Sequence, residues 1–166
     1  MNKAQLIVLM LFAAIGAVAS DDPNAVVGRW ATKDSVIEVA QANGTLHATI
    51  IAILDPVYKA GEAGPVGTTR VDLKNPEPGL RARPIVGMDL LSNYAFKDGK
   101  WQGNLYDPES GKTYKSQITV SSDGKLQMRG YIGSPMFGRT QEWVKASTCT
   151  GDIPKMLVSA NINSCG

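Results

Sequence analysis

Histidine and cysteine are nearly missing from this sequence, with one His and two Cys in 166 residues. A metal centre needs several clustered ligands, and the sole histidine, His47, stands between Leu46 and Ala48 with no serine or cysteine motif beside it to activate. Its alternation partners Thr45 and Thr49 place it on a polar face of a strand, where a structural or surface role is expected. Calcium fares no better: Asp72, Asn75 and Glu77 offer oxygen, but not the numerous closely spaced carboxylates of a dedicated calcium loop. Charge of one sign is also lacking. Lys plus Arg number 17 against 15 Asp plus Glu, a formal net charge of +2, so there is no bulk electrostatic footprint for nucleic acid. No apolar run reaches the roughly 20 residues of a membrane span, which excludes stable insertion by a helix.

One short apolar run is present. Residues 1–20, MNKAQLIVLMLFAAIGAVAS, place Lys3 ahead of an apolar stretch and end on small residues at Ala17, Ala19 and Ser20. That three-part pattern predicts a secretory signal peptide and an exported product, periplasmic or secreted. Its removal leaves about 146 residues, enough for one core. Cys149 and Cys165 fall close together at the end of the chain, and an even pair in an exported protein predicts a disulfide. Closing so short a loop stabilises by about 3 kcal/mol in the chain-entropy picture.

Gly111-Lys112-Thr113 resembles the end of a phosphate-binding loop, but the position that needs the first glycine is Tyr106, and the residues after the triplet are strand-like rather than helical. The stretch 107–114, DPESGKTY, therefore predicts a β-turn: Asp-Pro initiates it, Ser-Gly supplies the positive-φ corner, and Tyr106 and Tyr114 flank it. Asn43-Gly44 and Asp98-Gly99 predict tight hairpins, and Ser122-Asp123-Gly124 a further turn. Asn43-Gly44-Thr45 is formally also a glycosylation sequon.

Strand patterns fall at 26–31, 35–40, 45–54, 85–91, 94–97, 101–106, 113–120, 125–132 and 139–145. No amphipathic helix of three turns is seen after the leader. Eight or nine strands joined by hairpins predict an all-β, antiparallel, up-and-down barrel, since closure removes exposed sheet edges. Between 57 and 84 the periodicity gives way to glycines and prolines. So long an irregular excursion is often functional, and it is expected to cover the barrel mouth.

Gly28-Arg29-Trp30 resembles the Gly-x-Trp that opens lipocalins and fatty-acid-binding proteins. The resemblance implies that Trp30 plugs one end while a late-strand arginine, Arg129 or Arg139, stacks across it. A longer likeness lies in Asn75-Pro76-Glu77-Pro78 with Leu80-Arg81-Ala82-Arg83-Pro84, in 101–114, and in 126–133 running on to Phe137-Gly138-Arg139-Thr140-Gln141-Glu142-Trp143. On these segments the chain resembles the exported bacterial family known as domain of unknown function 2147, across 26–145. That resemblance implies a lipocalin-like barrel and export, but no activity. Residues 57–69 and the tail 146–166 do not follow the family pattern. The implied organisation is a leader at 1–20, a barrel at 21–145 and a disulfide-tied tail at 146–166.

A small closed barrel can hold one small ligand among its inward side chains. The expected partner is a small apolar or amphipathic molecule; the inward set drawn on is Tyr94, Phe96, Trp101, Leu105, Ile118, Met128 and Tyr131, with Tyr106 beside the turn. Arg81 and Arg83 share one side of an extended segment and could receive an anionic head group, or one of them could stack on a tryptophan. A different reading makes the barrel a scaffold for an envelope or host-facing protein contact. Catalysis finds no nucleophile and base, and no cofactor motif is present, so the expectation is a binding protein without cofactor rather than an enzyme.

Overall fold

A computed structural model describes residues 22–165; the predicted leader lies outside them. Eight strands run in chain order: β1 (Gly28–Ala31), β2 (Ser35–Ala42), β3 (Thr45–Ile53), β4 (Leu91–Lys97), β5 (Lys100–Asp107), β6 (Lys112–Val120), β7 (Leu126–Tyr131) and β8 (Arg139–Lys145). They form one antiparallel sheet in the order β3-β2-β1-β8-β7-β6-β5-β4. Every neighbour is a sequence neighbour except where β8 returns to pair with β1, through Trp30 opposite Lys145 and Ala31 opposite Val144. This is a meander curled into a nearly closed barrel.

The two sheet edges, β3 and β4, meet through an irregular strip rather than a full ladder. Ile50 N–H donates to Met88 O at 3.0 Å, Gly87 N–H to Ile50 O at 2.8 Å, and Leu90 N–H to Ala48 O at 2.9 Å. Residues 85–91, expected as a regular strand, are thus a seam with an isolated bridge at Asp89 opposite Thr49. The Asp89 carboxylate explains why it holds. It accepts from the N–H groups of Ala48 and Leu91 at 3.0 and 3.1 Å and lies 2.6 Å from His47 Nδ1. Burial pushes its pKa up, but the hydrogen bonds of His47, Ala48 and Leu91 outweigh this and hold it below the ordinary value.

The tight turns follow the chemistry of their residues. Asn43 and Gly44 have φ of 51° and 74°, Asp98 and Gly99 of 51° and 70°, the paired positive angles that short hairpins require. The β2–β3 ladder slips at Val36/Ile37, and the slip reverses which side chains face inward beyond it. Ile37 and Ile50 point into the barrel core, while Ala31, Val36 and Ala52 form a row on the outer wall.

That outer row is covered by an element absent from the expected pattern, the helix α1 (Ile153–Ser159). Pro154 occupies its first turn, and Ile153, Met156 and Leu157 supply a buried i, i+3, i+4 face. The tail is therefore packed against the barrel, and the Cys149–Cys165 disulfide, with Cα atoms 5.6 Å apart, ties the segment around it.

Candidate functional site

One end of the barrel is plugged. The 3-10 turn Pro23–Val26 lies across it and accepts both plug indoles: Trp30 Nε1–H donates to Val26 O at 2.7 Å and Trp101 Nε1–H to Pro23 O at 2.9 Å. Phe96 packs edge-on against Trp101 at 5.5 Å. The cation over Trp30 is not an arginine. Lys145 Nζ sits 3.9 Å from the ring centroid, and burial pushes its pKa down. Gly28, at φ +130°, lies where an added Cβ would come 3.4 Å from that Nζ. Arg129 instead holds the β7–β8 loop, donating to Pro135 O, Met136 O and Thr140 Oγ1. Arg139 is exposed at the start of β8. The expected arginine stack fails because β8 pairs with β1 through Lys145, not through its first residues.

β1 runs away from the plug to the turn at 32–35, and β5 runs from Trp101 to Asp107, so the opposite end is the mouth. There lies a cavity of about 810 Å³. Its apolar wall includes Ile37, Ile50, Ile53, Leu90, Leu105 and Trp143; its rim carries Lys33, Asp34, Asp107 and Glu109; and Tyr58, Arg70, Val71 and Ile85 border it from the 57–84 excursion and the seam. Of the ten side chains drawn on as ligand contacts, Leu105 and Tyr106 line this cavity. Tyr94, Trp101 and Met128 are buried in the core, with the Tyr94 hydroxyl bonded to that of Ser116. Tyr131 stands opposite Lys115 on the alternate, outward side of β7 from Met128. Sequence reasoning missed Trp143, Tyr58 and Ile53. The Val36/Ile37 slip brings Ile53 inward, and residue types alone do not reveal it.

The excursion is built, not loose. Tyr58 is its pivot: the hydroxyl donates to Val71 O and accepts from Val71 N–H, both at 3.1 Å. Arg70 stacks 5.2 Å over its ring while bonding both Glu62 oxygens and Asp55 O. The second anchor is Asp72, whose side chain is fully buried. It accepts from Tyr106 Oη at 2.7 Å, Asn75 Nδ2 at 2.7 Å and Arg83 at 2.8 Å, and Arg83 lies 5.7 Å over the Tyr106 ring. Burial raises the Asp72 pKa, but the bonds from Asn75, Arg83 and Tyr106 prevail and lower it. Burial, together with the bond to Asp72, pushes Tyr106 up to about 12. Arg81 donates its Nε–H to Asn75 O at 2.8 Å. Both arginines of the Arg-Ala-Arg-Pro segment are thus bonded within the fold.

The turn at 107–114 completes this joint. Gly111, at φ +70°, lies against the backbone of Lys74, where an added Cβ would stand 2.0 Å from the carbonyl oxygen. The glycine answers a close approach between two segments as well as a turn angle. Asp72 and Asn75, considered above as calcium ligands, have their side-chain oxygens on Arg83, Tyr106, Asn75 Nδ2 and Glu77 N–H.

A small antiparallel barrel plugged by a Gly-x-Trp strand at one end and open to a cavity at the other is the lipocalin type of fold. The sequence profile of the family described as "Uncharacterized protein conserved in bacteria (DUF2147)" matches residues 28–145, and the chain belongs to that family. Among solved structures it is similar to protein HP1028 from Helicobacter pylori, whose title places that protein in the lipocalin family. The two are 24% identical with a TM-score of 0.59, over 82% of this chain and 89% of the other. No curated protein matches the sequence. Among the described residues no helix is long and apolar enough to cross a membrane.

Proposed function

We propose that this is an exported binding protein that takes one small amphipathic molecule into the barrel mouth, beneath the 57–84 excursion. The observation that carries the reading is the cavity of about 810 Å³ with an apolar wall and a polar rim, a size and lining suited to a small ligand. Support for export comes from the predicted leader and from the Cys149–Cys165 disulfide. A binding role rather than catalysis is favoured because His47 is spent on Asp89 in the seam and does not line the cavity.

The rim also revises the expected head group. Arg81 and Arg83 are committed within the fold, so neither is a ready anion receiver. Among the described residues, Asp34, Asp107 and Glu109 line the rim without an ion pair, and Lys33 is the one lining cation that makes none. A neutral or cationic head group fits this better than an anionic one.

Trp143 in the cavity wall provides a reporter. Titration with dodecylamine is expected to change the tryptophan emission at roughly tenfold lower concentration than dodecanoate, about 1.4 kcal/mol of discrimination. Leu105→Trp, which fills the wall, is expected to abolish the change. Equal response to both probes would sink the head-group assignment; no response to either would count against the cavity as a ligand site.

A further inference from the structure

The six residues 132–137 at the mouth end of β7 and β8 hold the three most exposed large apolar side chains among the described residues: Ile132 at 74%, Met136 at 80% and Phe137 at 81%. Exposed apolar residues scattered singly need no explanation, but a cluster on one tip does.

The tip is held in shape. Ser134 Oγ accepts from Met136 N–H at 3.3 Å, Phe137 N–H donates to Ser134 O at 3.2 Å, and Gly138 N–H to Pro135 O at 3.0 Å. Beneath it, Arg129 donates to Pro135 O at 2.8 Å and Met136 O at 3.3 Å. Gly138 packs where an added Cβ would lie 2.8 Å from Gly130 O. These bonds close the turn at 134–138, so Met136 and Phe137 are presented outward from a hydrogen-bonded scaffold.

The strand ends beneath the tip carry one sign of charge, while the acids of the mouth, Asp107 opposite Lys112 and Glu109, belong to the β5–β6 turn. The strand ends that support the tip, residues 112–117, 128–131 and 139–141, contain four cations, Lys112, Lys115, Arg129 and Arg139, and no acid. Lys115 and Arg139 have no ion-pair partner among the described residues. Apolar side chains at an apex with unpaired cations set behind them match the layering of an anionic bilayer surface, acyl boundary below and phosphate above.

We propose that Ile132, Met136 and Phe137 form a docking tip that seats the β7–β8 corner of the barrel on an anionic phospholipid surface, with Lys115 and Arg139 against the head groups. The contact is peripheral and does not depend on a ligand in the cavity: protein with an empty barrel is expected to dock equally well, so this proposal and the ligand reading can fail separately.

The test is co-sedimentation of the whole protein with vesicles of phosphatidylcholine alone and of phosphatidylcholine with equal phosphatidylglycerol. Partition onto the anionic vesicles is expected to exceed that onto the neutral ones roughly tenfold, and to fall when salt rises to about 0.5 M. The double variant Met136→Ser, Phe137→Ser is expected to lose roughly tenfold or more of the binding, and Lys115→Glu with Arg139→Glu to remove the preference for anionic lipid. Phe137→Trp gives a reading that does not depend on the serine pair folding: its emission should shift to the blue on anionic vesicles alone. No partition onto either vesicle, undiminished binding by the serine pair, or an unshifted emission from the Phe137→Trp variant would each overturn the proposal. So would concentration-dependent self-association, abolished by the serine pair, in a protein that ignores vesicles, because a second copy would then be what covers the tip.

Discussion

Trp30→Ala is expected to lower the free energy of unfolding by about 3–5 kcal/mol, the range for truncating a large buried aromatic. Trp30 is completely buried, and its loss removes three things at once. The apolar core loses the ring that packs with Ile37 and Val39 inside the barrel. Val26 O loses its indole donor, which leaves the plugging turn without one of its two fastenings. Lys145 loses the ring face that its ammonium covers and keeps only its bond to Val27 O at 3.4 Å. Against a total stability of roughly 5–15 kcal/mol, the change should move the denaturant midpoint strongly at constant slope. A shift worth less than about 1 kcal/mol would show that Trp30 is not the plug.

Asp72→Ala is expected to cost about 3 kcal/mol, the lower end of the range for breaking a buried ion pair by removing one partner, because Arg83 keeps partial access to water. The variant strips the acceptor from Tyr106, Asn75 and Arg83 together. Since those bonds fasten the excursion to β5, proteolysis within 57–84 should accelerate even where the barrel stays folded. The same site sets an acid limit. Asp72 and Asp89 both have folded-state pKa values below the ordinary 3.8. A depressed carboxylate contributes stability that is complete above its unfolded pKa and is lost as pH falls through the folded one. Wild-type stability should therefore be flat above about pH 5 from these two groups and fall steeply below about 4. Asp72→Ala should show a shallower fall. An unchanged acid slope would mean that Asp72 is not held ionised by its partners.

Much of the barrel could be read from residues, because its determinants are local. Asn43-Gly44 and Asp98-Gly99 demand their turns wherever they occur, and alternation gave most of the strands. The 107–114 stretch was recognisable as a turn for the same reason, although its contact with Lys74 was not, since that joins residues distant in sequence. Three features escaped for physical reasons. The seam at 85–91 has strand composition, but its bonding is completed by Asp89 and His47 rather than by a ladder. Helix α1 has only two turns, too few for a periodic pattern to stand out, although Asp152-Ile153-Pro154 carries a helix-start signature. The inward faces were undecidable because the ladder slips at Val36/Ile37 and at Ser92/Ala95 exchange inside for outside. The binding set drawn from alternation therefore concentrated on aromatics such as Trp101 and Tyr94, which the fold uses as core. The wall of the mouth is made instead by residues brought there by a slip, by the excursion and by the last strand.

That the mouth cavity holds a small molecule is tested most directly by native mass spectrometry of the protein purified from its own source. The expected intact mass lies roughly a few hundred daltons, the size of a small ligand, above that of the disulfide-bonded chain. Organic extraction should reduce it to the chain mass, and the extracted compound should be restored on mixing and excluded by Leu105→Trp. The bare chain mass in every preparation, together with a solved structure whose own side chains fill the space between Ile50, Leu105 and Trp143, would contradict it.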